Sequence, residues 1–319
     1  MGRPLKLALI GADEPLGEAL LKVLEARDIE PEAFWPVSLD EEEGATITRM
    51  GREVACLDAA DLDWSRIDVL VLASLRGRGR EVVREANRRG IAVLGTQATL
   101  GGTAEPVSRG EALPDAPATA LLRVLAPLAA SAGLVSLHAF VGLPVAALGS
   151  EGVTELATQT RALFALESAE PAVLPVRIAF NLLPVSVGAG PERDEATETQ
   201  LRIALAPFGT VVQTSSIWIP VFHGGVAALH VRTREPLSES ELRALWSRTA
   251  GVIVMDEPLP GGVPTPATEA VDSEDVFIGR LRVNAADPTY LSCWLCFDHP
   301  RLEAARLAVW LEEWLAKTD

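Results

Sequence analysis

The chain has 319 residues, 48% hydrophobic and 23% charged, which suits two domains or one large one with a sizeable core. Its 44 acidic against 28 basic residues give a formal net charge of −16, a surface that repels nucleic acid and anionic membranes, so neither is expected as a partner. No apolar run reaches the ~18 residues that cross a bilayer, and Met1-Gly2-Arg3-Pro4 leads into a short strand-like run rather than a signal peptide; the chain reads as cytoplasmic.

Taken in order, Lys6-Leu7-Ala8-Leu9-Ile10 is a short apolar run stopped by Gly11, the pattern of a buried strand. Residues 17–26 then place Leu20, Leu21, Val23 and Leu24 at helical spacing. Val69-Leu70-Val71-Leu72-Ala73 predicts a second buried strand, residues 80–89 the next helix with Gly90 as its C-cap, and Ile91-Ala92-Val93-Leu94-Gly95 another strand. Alternating strands and helices imply a parallel sheet with helices on both faces. Further on, residues 201–206 are amphipathic and helical, and Ile217-Trp218-Ile219-Pro220-Val221-Phe222 and Ala227-Ala228-Leu229-His230-Val231 read as strands. Residues 302–317 form a long helix carrying Leu307, Val309, Trp310, Leu311, Trp314 and Leu315. This half is α+β, with a largely antiparallel sheet.

The first strand-to-helix turn, Gly11-Ala12-Asp13-Glu14-Pro15-Leu16-Gly17, has the position of a dinucleotide fingerprint but not its full spelling. Gly11 and Gly17 stand where glycine is wanted; Glu14 replaces the middle glycine, whose absent side chain lets the backbone approach a pyrophosphate. Glu14 brings bulk and negative charge, Asp13 adds charge, and the loop reads as a structural turn or a weakened nucleotide site. Leu39-Asp40-Glu41-Glu42-Glu43 sets four carboxylates in a row where a 2′-phosphate would be repelled. No cofactor is fixed by the sequence; NAD or NADP is admissible, with NAD favoured. The basic cluster Arg76-Gly77-Arg78-Gly79-Arg80, with Arg84 and Arg88-Arg89, follows a strand end. It reads as an anion site or as a solvated surface with Glu81 and Glu85 as helical partners. Of three cysteines, Cys293-x-x-Cys296 has no second pair to complete a zinc site and reads as buried core thiols pointing to opposite faces of a strand. No His/Asp/Glu set has metal-ligand spacing, so no metal is expected.

Several short motifs occur in order over most of the chain. They are Gly152-Val153-Thr154-Glu155-Leu156 with Gln159-Thr160, Ile178-Ala179-Phe180-Asn181, Pro220-Val221-Phe222, Pro264-Thr265-Pro266 and Asp275-Val276-Phe277-Ile278-Gly279-Arg280. In this the chain resembles the aspartate-semialdehyde dehydrogenase family, with Ile178 to Asn181 matching a family strand. Leu143-Pro144-Val145-Ala146-Ala147-Leu148-Gly149 looks like a divergent branch of it. The resemblance implies an α/β fold: a Rossmann-type parallel sheet domain plus an α+β dimerisation domain with a largely antiparallel sheet. The first domain is expected over residues 1–118, completed by 300–319, and the second over 119–299. The resemblance also implies a homodimer.

The residues that carry the family's chemistry are altered. Its Asn-Cys-Ser/Thr signature, whose cysteine attacks the substrate carbonyl, falls on Leu113-Pro114-Asp115-Ala116-Pro117-Ala118-Thr119, with Ala116 in place of the nucleophile. Its catalytic histidine falls on Gly225; His223, two residues earlier on an expected strand, is a weak substitute. Its basic substrate residue falls near Arg202, one place out of register. Its nicotinamide-facing Asn-x-x-Lys-Gly-Ala appears as His299-Pro300-Arg301-Leu302-Glu303-Ala304. A methyl group forms no thioester, and neither Thr119, Ser131 nor Ser136 lies in a nucleophile elbow. Catalytic residues of the family are thus not retained. Two readings follow: a degenerate homologue acting as a dimeric binding or partner protein, or an active NAD(P)-dependent dehydrogenase using an unrecognised nucleophile.

Overall fold

The computed structural model describes residues 5–39, 44–74, 79–100, 109–189 and 195–316. The acidic run 40–43, and Arg76 and Arg78 of the basic cluster, lie outside the described residues. The chain forms two compact units, one of Met1–Asp115 with Glu303–Asp319, the other of Ala116–Leu302.

In the first unit six strands form an all-parallel sheet in the order β5-β2-β1-β6-β7-β8. They are β1 (Lys6–Ile10), β2 (Ala33–Ser38), β5 (Leu57–Asp58), β6 (Val69–Leu72), β7 (Ala92–Thr96) and β8 (Gly110–Leu113); β3 (Thr46–Arg49) and β4 (Arg52–Ala55) form a separate hairpin. Successive strand residues point to opposite faces, and both faces are apolar and covered. Leu7, Leu9, Val69 and Val71 pack with Leu20 and Val23 of helix Pro15–Ala26 and with Leu307 and Leu311 of helix His299–Ala316. Ala8, Ile10, Leu70 and Leu72 pack on the other side with Val82, Val83 and Ala86 of helix Gly79–Arg89. Burial on both faces explains why these strands read as unbroken apolar runs.

The second unit holds a mixed sheet ordered β10-β11-β9-β12-β15-β14-β13. Its strands are β9 (Leu134–Leu143), β10 (Leu183–Pro184), β11 (Val211–Trp218), β12 (Gly224–Thr233), β13 (Val252–Val254), β14 (Val276–Val283) and β15 (Tyr290–Asp298). β11 runs parallel to β9 and β13 to β14, and the other neighbours are antiparallel. Helices Ala116–Ala132, Ala196–Leu205 and Glu239–Trp246 cover one face, where Leu121, Leu125, Leu201 and Trp246 meet Val141, Leu229 and Leu295. On the other face Val226 and Cys296 pack with Ile219 and Ala270 at one end. Farther along that face His138, Phe140, Gln213, His230, Arg232 and Tyr290 are exposed.

Three local expectations are corrected. The apolar run from Ile217 ends as a strand at Trp218, because Pro220 has no N–H to donate and the Val221 N–H turns back to the Ile219 carbonyl at 2.8 Å. His223 therefore lies outside a strand, just ahead of β12. Ile178 to Asn181 is a turn rather than a strand, with Phe180 left-handed at φ 55°. Its order comes from helix Ser150–Phe164, four residues apart on one face. Buried Gln159 accepts the N–H groups of Ile178 (3.0 Å) and Ala179 (3.1 Å). Buried Glu155 accepts those of Ala172, Val173 and Leu174 at 2.7–3.2 Å, and that of the Gln159 amide at 2.7 Å. The Glu-Leu-x-x-Gln motif is thus a clamp on a loop.

Candidate functional site

In the first unit the turn after β1 keeps the geometry that its outer glycines permit. Gly11 sits at φ 74°, and its N–H and that of Ala12 donate to the Val37 carbonyl at 2.8 and 3.1 Å. A Cβ on Gly17 would lie 2.2 Å from the Gly11 carbonyl oxygen, so helix and strand cross at a distance only glycine allows. Ala12 and Leu16 are buried in the core behind the turn.

The mouth of the turn does not fit a pyrophosphate. Glu14 is only 4% exposed, and a Cβ on Gly11 would come within 3.3 Å of the Glu14 Cγ, so the glutamate folds over the turn. Pro15 takes the first helical position and has no N–H to offer an anion. Asp13 Oδ2 accepts the Ser38 hydroxyl at 2.6 Å at the end of β2, and its Oδ1 is buried without a hydrogen-bond partner. An anionic ligand here meets two carboxylates and one donor fewer than a helix N-terminus normally offers.

In the second unit Ala116 opens helix Ala116–Ala132 and is fully buried in the main core. Gly225 on β12 pairs directly with Phe297 on β15. A Cβ on Gly225 would lie 2.6 Å from the Phe297 Cε2 and 2.7 Å from its Cζ, so the buried ring fills the space a side chain would need. Arg202 is exposed on helix Ala196–Leu205, whose Leu201 and Leu205 face the core instead. His223 is half-buried, and its carbonyl accepts the His299 N–H at 3.0 Å.

One functional candidate escaped the sequence. Asp298 is 3% exposed, and burial raises its carboxyl above the usual range, partly offset by the Arg301 and Asp272 N–H groups it accepts and by the charge of His223. The only signal for it was an acid ending an apolar strand just before a helix. Its bond to the Arg301 N–H, three residues on, also makes it the cap of helix His299–Ala316. An imidazole beside a buried carboxylate could orient a base, but that needs a nucleophile to act on.

No thiol supplies one. Burial pushes Cys293 and Cys296 each up to about 12, and burial with the Asp13 charge pushes Cys56 up to about 11. Reactive cysteines need the thiolate. Cys293 and Cys296 belong to the cores on opposite faces of the sheet. The Ser131 hydroxyl donates to the Leu128 carbonyl of its own helix at 3.2 Å, and Thr119 is buried. Among the described residues no group of three His, Cys, Asp or Glu could hold a metal ion, and no helix is long and apolar enough to cross a membrane.

Comparison with known proteins gives a consistent kinship over the whole length. Residues 125–300 match the semialdehyde dehydrogenase dimerisation domain. The chain is 27% identical to an aspartate-semialdehyde dehydrogenase of Legionella pneumophila over 99% of its length and 97% of the relative's. It is 30% identical to a USG-1 protein homolog of Pseudomonas aeruginosa, over 99% of both chains. The solved structure of a probable aspartate-semialdehyde dehydrogenase from Pseudomonas aeruginosa superposes with a TM-score of 0.83 at 27% identity, covering 99% of both chains.

Proposed function

The chain belongs to the aspartate-semialdehyde dehydrogenase family, and from that premise we propose that it is a member without the dehydrogenase reaction, working as a paired binding protein. The observation that carries this is Ala116: a buried methyl stands where the family places its thiolate, while the three cysteines are held protonated. Acyl transfer without a nucleophile loses orders of magnitude of rate. Gly225 adds to it, since the position of the family's histidine is packed shut by Phe297.

The turn at Gly11 keeps its structural role and has given up its affinity for phosphates through Glu14 and Asp13. Of the two dinucleotides, NAD is the one this unit would tolerate, because Asp13, in the turn after β1 and bonded to Ser38 at the end of β2, repels a 2′-phosphate. Pairing into a homodimer is supported by the match of residues 125–300 to a dimerisation domain.

The test is a dehydrogenase assay with aspartate semialdehyde, inorganic phosphate and NAD or NADP, run beside calorimetric titration with each nucleotide at low salt. The expected outcome is no turnover and no heat. Turnover, or micromolar binding of either nucleotide, would overturn the reading in favour of an active NAD(P)-dependent dehydrogenase with a different nucleophile.

A further inference from the structure

In an all-parallel sheet every strand starts at the same edge. In the first unit Asp68 stands just before β6, Ile91 just before β7 and Arg109 just before β8. They therefore share the edge opposite the turn at Gly11, which follows the far end of β1. With Trp64, Arg89 and Trp314 of the same unit they line a cavity of about 290 Å³. Each wall is fixed by bonds made beside it. Trp64 opens a short turn capped by Asp63, which accepts the Ser65 N–H at 3.2 Å. The Asp68 N–H donates to the Lys6 carbonyl at 2.9 Å, and the Arg109 carbonyl accepts the Val93 N–H at 2.8 Å. Gly90 ends helix Gly79–Arg89 at φ 70°, and the Ile91 N–H returns to the Ala86 carbonyl at 3.0 Å. Trp314 stacks on Trp310 with ring centres 5.2 Å apart, and the Trp310 Nε1 donates to Glu111 at 3.0 Å.

The charges around the cavity sort themselves. The Arg89 guanidinium lies 5.8 Å from the centre of the Trp64 ring and is ion-paired with Glu85. The Arg109 guanidinium lies 5.8 Å from the centre of the Trp314 ring and reaches the Gly90 carbonyl only at 3.5 Å. The neighbouring acids are already engaged: Asp63 by the Ser65 hydroxyl, Glu85 by Arg88 and Arg89, and Glu111 by Trp310. Among the described residues neither Asp68 nor Arg109 has an ionic partner. Two groups of opposite sign thus face one cavity, with the carbonyl end of helix Gly79–Arg89 beside them.

We propose that this cavity binds a free α-amino acid with an aromatic side chain. Arg109 takes its carboxylate, Asp68 its ammonium, and the indoles of Trp64 and Trp314 its ring. The proposal goes beyond the loss of dehydrogenase chemistry and does not depend on it. A guanidinium holds a carboxylate through two parallel N–H groups, which gives orientation as well as attraction. The negative end of a helix favours a cation, so it works with Asp68 on an ammonium. Both count against a phosphate or a dicarboxylate, whose second negative charge would meet them. Aromatic rings pack edge-on or offset against one another at about 4.5–7 Å between centres, and two indoles at one cavity select a flat side chain. The volume is at the small end for ligand pockets, so it suits an amino acid and is too small for a dinucleotide.

Calorimetric titration of the full chain with L-phenylalanine tests this, run beside 3-phenylpropionate, which lacks the ammonium, and phenethylamine, which lacks the carboxylate. L-Phenylalanine should saturate a single site on each chain, and each of the other two should bind at least about 10-fold more weakly. R109Q and D68N should each weaken L-phenylalanine by about 10-fold or more, with unchanged circular dichroism. No saturable heat with L-phenylalanine up to about 10 mM would overturn the site. If 3-phenylpropionate bound as tightly as L-phenylalanine, Asp68 would have no role and the amino-acid assignment would fall. Binding unchanged in both variants would put the ligand elsewhere and overturn the choice of cavity. The comparison of the three ligands needs only the wild type, so it stays decisive even if a variant fails to fold.

Discussion

Gly225 offers the sharpest test of whether the family's histidine position is still a site or has become core. Adding only a Cβ there brings carbon to 2.6 and 2.7 Å from two atoms of the Phe297 ring. Ordinary carbon contacts lie near 3.5–4.0 Å, so the ring must retreat by about 1 Å. Phe297 is fully buried in one core with Leu121, Leu295 and Leu302, so the ring cannot retreat into solvent. Overpacking of this kind costs about 1–3 kcal/mol, or roughly 2–4 °C of Tm per kcal/mol for a unit of this size. G225A should therefore unfold at lower urea, followed through Trp218, Trp246 and Trp294 of the same unit. F297A alone should cost about 3–5 kcal/mol. In the double variant the new Cβ occupies space the ring has left, so the combined loss should fall short of the sum by about 1–3 kcal/mol. A neutral G225A, or strict additivity, would refute the argument that Phe297 closes this position. The same packing predicts that G225H lowers stability further and restores no activity.

Three more outcomes follow. Ellman's reagent near neutral pH should leave Cys293 and Cys296 unmodified in the folded protein and reach all three cysteines after denaturation, because burial keeps those two thiols protonated; prompt native labelling of either would contradict the absence of a substitute nucleophile. G17A should be among the most disruptive small substitutions in the first unit, about 3 kcal/mol or more, since its Cβ meets a backbone oxygen that cannot step aside; a denaturation midpoint near wild type would refute the crossing geometry. Burial raises the folded-state carboxyl of Asp298, so its contribution to stability is present below the ordinary carboxylate range and is lost as pH rises through the raised value. Wild type compared with D298N should lose relative stability on raising the pH across that interval, and urea midpoints showing the opposite slope would reverse the assignment.

Much of the first unit was legible because its strands are buried on both sides, which leaves unbroken apolar runs between glycine and helix signals at Lys6 to Gly11 and Val69 to Ala73. The structural work of Gly11 and Gly17 was legible for a similar reason: only close approach or a positive φ demands glycine there. The short strand from Ile217 was overextended because apolarity outlasts hydrogen bonding once Pro220 intervenes. Ile178 to Asn181 misled in the same way, since its apolar residues belong to a turn held by side chains of a helix far back in the sequence. At the candidate site the losses at Ala116 and Glu14 were visible as residue types. What closes Gly225 was not, because Phe297 is far away along the chain and meets it only through the β12–β15 register. Asp298 was equally silent, its burial being a property of packing.

The clamp formed by Glu155 and Gln159 implies an unusual pattern of amide hydrogen exchange. Ala172, Val173, Leu174, Ile178 and Ala179 belong to no helix or strand, so their composition alone would place them among the fast exchangers. Yet all five N–H groups end on the oxygens of two buried side chains one helical turn apart. Their protection is then not a property of the loop but is borrowed from helix Ser150–Phe164. It should rise and collapse together, as one opening event with the free energy of that helix leaving its seat. A stretch drawn as coil would thus report, amide by amide, on the docking of a helix that precedes it.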